Sequence, residues 1–191
     1  VWRCRDLCAE LDALLAENLA RRDLPTHSVA WLRPIPLVAH ARYSRDEVRA
    51  ALGALDPSRP SKHREGVLHS NANALDVFFV TLEKAEKQFS PSTRYRDYAV
   101  SETLFHWETQ NSTTPESKTG ARYLAHRAQE SRIALFVRER NTDGRGLPEA
   151  FLCLGLCDYV SHQGRAPIAI TWRLQRPMPG RAFERAKAVA G

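Results

Sequence analysis

The chain has 191 residues, enough for one domain with its own core, and 43% of them are hydrophobic against 26% charged, which sets aside a disordered or collagen-like polymer. Its 28 Lys and Arg against 22 Asp and Glu leave a formal charge of +6, which suits a phosphate-bearing partner if the positive charge gathers on one face. No apolar run approaches the length of a membrane span, and the opening VWRCRDLCAELDALLAENLARR alternates charge with leucine unlike a signal peptide, so the expectation is a cytoplasmic chain with no membrane partner.

Leu7, Leu11, Leu14, Leu15 and Leu19 recur at helical spacing, so residues 4–21 read as an amphipathic helix. The sequence begins at Val1 and its single Met is Met178, which together with this abrupt helical start reads as a piece of a longer polypeptide. Pro25, Pro34 and Pro36 impose an extended passage, and Ser44 followed by Glu47 is a capping-box start for a helix through Leu55. The basic, proline-punctuated DPSRPSKHR, which carries Lys62 and Arg64, is a connector.

Beyond it the period changes. Leu75 to Leu82, Leu104 to Thr109, Arg132 to Arg140, Ala150 to Leu156 and Ile168 to Leu174 are short runs of aromatic and β-branched residues bounded by turn formers, which predicts strands. NTDGRG at 141–146 reads as a hairpin loop and HQGR at 162–165 as a turn, with a helix from about Ser117 to Gln129 and a short one in the tail. The expected fold is α+β: a helical part over 1–56, a curved or barrel-like antiparallel core (a pseudobarrel) with one inserted helix over 57–180, and a C-terminal tail over 181–191. The segments 89–103 and 111–119 are expected to be rim loops.

TRYRDYAVSETLFHWETQNSTTPESKTGARYLAH, from Thr93 to His126, carries Arg, Tyr, His, Trp, Gln and Asn where a core strand would carry aliphatics. Arg pairs with phosphates or a guanine edge, Gln and Asn match an adenine edge, and the aromatics offer stacking faces. Lys84, Lys87, Arg94, Arg96 and Arg122, with Arg127 nearby, are therefore candidate phosphate contacts. His106, Glu108, Gln110 and Asn111 are candidates for base readout, with Trp107, Tyr95 and Tyr98 as stacking walls. In an alternating strand Trp107 shares a face with Phe105 and points to the core, unless it faces a cavity that takes an extruded base. Ser161, His162 and Arg165 form a second polar cluster, read as a loop.

Catalysis has little behind it: there is no Gly-rich phosphate loop with Lys, no G-x-S-x-G and no H-E-x-x-H, and no cofactor is expected. The best enzyme alternative is a metal-dependent nuclease with Asp97 and Glu108 as ligands and Gln110 where a Lys is usual. Cys4/Cys8 and Cys153/Cys157 are C-x-x-x-C pairs, wider than a zinc knuckle, and read as reduced thiols without metal.

The strings HREGV, DVFFVTLEKAEKQFSPSTRYRDYAVSETLFHWETQNSTTPESKTGARYLAHR, IALFVRER and DYVSHQGRAPIAITWRLQRPMP resemble the uncharacterised domain at the C-terminus of bacterial superfamily 2 helicases that often also carry a phospholipase-D-type nuclease domain. The resemblance implies a restriction or phage-defence enzyme in which this module recognises duplex DNA, unmodified or modified, alongside helicase and nuclease domains. A protein-docking module for the helicase is the other role it leaves open. The motifs of the motor and of the nuclease are absent from this sequence.

Overall fold

The computed structural model describes residues 4–20, 27–28, 35–55, 66–82 and 97–188. In chain order these form α1 (Arg5–Ala20), β1 (His27–Ser28), β2 (Val38–Ala39), β3 (Arg42–Tyr43), α2 (Arg45–Ala51), β4 (Val67–Ser70), β5 (Leu75–Thr81), β6 (Tyr98–Ser101), β7 (Leu104–Glu108), α3 (Lys118–Leu124), β8 (Arg132–Arg138), β9 (Phe151–Gln163), β10 (Ala169–Leu174) and α4 (Gly180–Ala188). No described helix is long and apolar enough to cross a membrane.

The chain is thus mixed α+β. One sheet runs β4-β5-β8-β9-β10-β7-β6, with β3 added alongside β9, and its pairs are antiparallel except β5 with β8. The expected barrel is not formed: β4 and β6 end the sheet and do not pair with each other. Even so, Phe78 on β5 lies flat on Trp107 of β7, ring centroids 4.0 Å apart, although three strands separate β5 from β7.

Two cores explain the strand compositions. Phe78, Ile133, Leu135, Leu154, Ile170 and Trp172 belong to one, and Val77, Phe79, Ala134, Phe136 and Phe151 pack on the opposite face against Ile35, Leu37, Val48 and Leu52. The strands β5, β8 and the first half of β9 are covered on both faces and therefore read as unbroken apolar runs. By contrast β7 and β10 bury every second residue.

Local signals act where expected. The Ser44 hydroxyl accepts the Glu47 N–H while the Glu47 carboxylate accepts the Ser44 N–H, and α2 stops before Gly53, whose φ is 67°. Ser117 caps α3 by accepting the Gly120 N–H. That helix stops at Leu124, short of the expected Gln129, because His126 turns inward: its Nε2 accepts the Tyr159 N–H and its Nδ1 meets the Ser131 carbonyl. Two expectations need correction. Residues 98–101, placed in a rim loop, are strand β6, and Ser161 and His162 are not in a loop, because β9 continues its pairing with β10 through Gln163.

Candidate functional site

The ends of β7 and β9, the starts of β5, β8 and β10, and α3 all gather at one end of the sheet. A cleft of about 460 Å³ opens there. Val67, Leu68 and His69 of β4 form one wall, Trp107 of β7 the floor, and Thr109, Gln110, Ser112 and Thr113 the loop that follows; Ser117, Thr119, Arg122 and Tyr123 close it from α3 and its cap.

The geometry begins with one buried carboxylate. Asp76 is fully buried, and a carboxylate so placed requires partners. Arg122 supplies two donors side-on, Nε to Oδ2 at 2.8 Å and Nη2 to Oδ1 at 3.0 Å. His69 Nδ1 lies 2.9 Å from the same Oδ1, and its Nε2 is 2.7 Å from Asn71 Oδ1. Hydrogen bonding to Asp76 holds the Arg122 guanidinium even more firmly protonated than usual. Burial, and then the Asp76 charge, push the Tyr123 phenol up, so this wall presents a neutral hydroxyl. Among the described residues Arg122 is the one Arg that lines the cleft, and Asp76 balances it. What remains among the described residues to meet a ligand is a set of hydroxyls, an amide, the His69 ring and aromatic surface.

Backbone contacts fix the cleft floor. Thr109 is 1% exposed; its Oγ1 accepts the Ile168 N–H at 2.9 Å and donates to the Gln110 carbonyl at 3.2 Å. Gly120 is obligatory at the root of α3, because a Cβ there would collide with the Thr114 carbonyl.

The sequence-predicted residues divide. Trp107, 6% exposed, is core stacked on Phe78 and gives the cleft only its remaining edge. Gln110 and Arg122 join it there, and Asn111 is exposed in the same loop. Strand alternation puts His106 and Glu108 on the other face of the sheet, Nε2 to Oε1 at 3.8 Å, with Tyr98 stacked on the His106 ring at 4.7 Å. The expected readout set is therefore split between two surfaces. Lys84, Lys87, Arg94, Tyr95 and Arg96, with Lys62 and Arg64, lie outside the described residues.

Asp97 is 7% exposed and its Oδ1 accepts the Glu108 backbone N–H at 3.0 Å, an anchor for the start of β6. Among the described residues no cluster of three His, Cys, Asp or Glu side chains could hold a metal ion. Cys153 and Cys157 are drawn to opposite cores, because Gly155 (φ 85°) sits in a β-bulge between them and breaks the alternation. At the end of β9 the Tyr159 hydroxyl bonds His162 Nδ1 at 2.7 Å.

Sequence reasoning missed His69, Asp76 and the hydroxyl of Thr109. One signal for Asp76 was present: a lone carboxylate inside LDVFFVTL, where every neighbour is destined for a core.

No curated protein matches the sequence. A family model does, over residues 37–186, which takes in β2 through most of α4 and every wall of the cleft. The chain belongs to that family, described as a domain of unknown function, DUF3427.

Proposed function

We propose that this domain binds duplex DNA and receives one extruded nucleobase in the cleft beside Arg122, acting as the sequence or modified-DNA reader of a larger helicase-nuclease defence enzyme. The observation that carries the reading is the charge balance of the cleft. With Asp76 neutralising Arg122, the described lining offers hydrogen bonds and aromatic surface and little net charge, which suits a planar, neutral, polar ligand better than a free phosphate. Its volume falls within the range of about 300–1,000 Å³ found for small-molecule sites. A sheet curled enough to stack Phe78 on Trp107 gives such a base an aromatic edge to lie against. The overall charge of +6 supplies the sequence-independent attraction that brings DNA to the rim.

The test uses the 191-residue chain and matched duplexes, unmodified, methylated and hydroxymethylated, with Thr113→Trp as a variant that fills the cleft. The expected result is salt-sensitive binding in both proteins and a preference among duplexes in the unfilled cleft alone. If the preference survives Thr113→Trp in a folded protein, the base sits elsewhere. If no duplex binds, the protein-docking alternative takes its place.

A further inference from the structure

The β9–β10 hairpin ends beside the cleft. Its tip is pinned there on the β10 side, because Ile168 donates its N–H to Thr109 Oγ1 and its carbonyl accepts the Thr109 N–H at 3.0 Å. Between Gln163 and Ile168 the tip carries Arg165, whose Nη1 lies 3.0 Å from Glu116 Oε1 in the loop that runs from the cleft floor to α3. Both side chains stand mostly in solvent, 74% and 59% exposed. An exposed ion pair of this kind contributes little to stability and is screened by salt, so the two side chains separate readily. A phosphodiester offers Arg a partner of matching geometry, and binding it releases counterions from the duplex. Lys118, two residues beyond Glu116, is exposed on the same segment.

We propose that Arg165 is a DNA-backbone contact at the rim of the cleft, and that Glu116 is the internal anion that occupies it until a phosphate displaces the carboxylate. This rests on the reading of the domain as a DNA binder. It adds a role for an acid whose expected effect on affinity is negative: Glu116 screens the rim against weakly bound polyanions and makes engagement there a competition.

The experiment is a salt series of affinities for a short labelled duplex of randomised sequence, using the whole chain and the variants Glu116→Gln, Arg165→Ala and the pair together. Glu116→Gln is expected to tighten binding by about threefold to tenfold, and Arg165→Ala to weaken it and lower the salt slope by about one. In the double variant the gain from Glu116→Gln should largely vanish. Unchanged or weaker binding by Glu116→Gln overturns the proposal, as does an equal gain with Arg165 removed, which would mark a general charge effect. Either result leaves the cleft reading standing, whereas failure of the parent chain to bind any duplex removes both.

Discussion

Arg122 and Asp76, 46 residues apart in sequence, meet side-on at 2.8 and 3.0 Å and tie α3 to strand β5 beside the cleft. Because the carboxylate is fully buried, removing the cation would strand it and removing the carboxylate would strand two donors. Asp76→Ala is therefore expected to lower the unfolding free energy by about 3–5 kcal/mol, read from the urea midpoint. A loss below about 1 kcal/mol would mean that water already screens the pair.

Gly120 tests the seat of α3. Gly120→Ala would drive a methyl group into the Thr114 carbonyl, and a backbone atom cannot swing aside as a side chain can. Overpacking of this kind costs about 1–3 kcal/mol. The same substitution at Gly144, which has open space around it, is the control and should change stability far less.

Thiol chemistry separates the two cysteine pairs. Burial pushes the Cys153 thiol up to about 12 and holds that of Cys157 well above its ordinary value, whereas Cys4 is exposed. In native protein a disulfide reagent at pH 8 should label Cys4 rapidly and the β9 pair at least about 100-fold more slowly, with all of them reacting in denaturant. Comparable native rates would contradict the two-sided packing of β9.

The β8–β9 loop has a pH dependence whose sign follows from its geometry. Backbone N–H groups of Leu147 and Arg145 bind the Asp143 carboxylate and hold it below its ordinary value of 3.8. A carboxyl depressed in the folded loop stabilises that loop above the ordinary value and loses the effect as pH falls through the depressed one. In an NMR titration the Arg145 and Leu147 amide signals should therefore stay constant down to about pH 4 and move with the Asp143 carboxyl below it.

Much of the fold was legible because its signals are local. Ser44 and Glu47 form their capping box, Ser117 caps its helix, and Phe105 and Trp107 turn inward as alternation requires. The parallel pairing of β5 with β8 was not, because nothing within either strand specifies a partner so far along the chain. Nor was β6, four residues written with Tyr, Ala, Val and Ser at a position one residue removed from Asp97, whose tie to Glu108 is visible only once β7 lies beside it. The site was half legible for the same reason: Gln110 and Arg122 lie within the stretch rich in recognition chemistry, whereas His69 and Asp76 enter from a hairpin that sequence places far away.

The stacking of Phe78 on Trp107 has a mechanical consequence. The cleft lies between its β4 wall and its β7 floor, with four other strands between these two in the sheet, so the gap between them is the accumulated outcome of every strand-to-strand rotation along that path. A degree or two at each step adds up at the opening, where a loop-built pocket would respond only to its own loop. Repacking deep in the sheet, far from any ligand, would thus act as a calliper on what the cleft admits, and the Phe78–Trp107 contact is the point at which that calliper is locked.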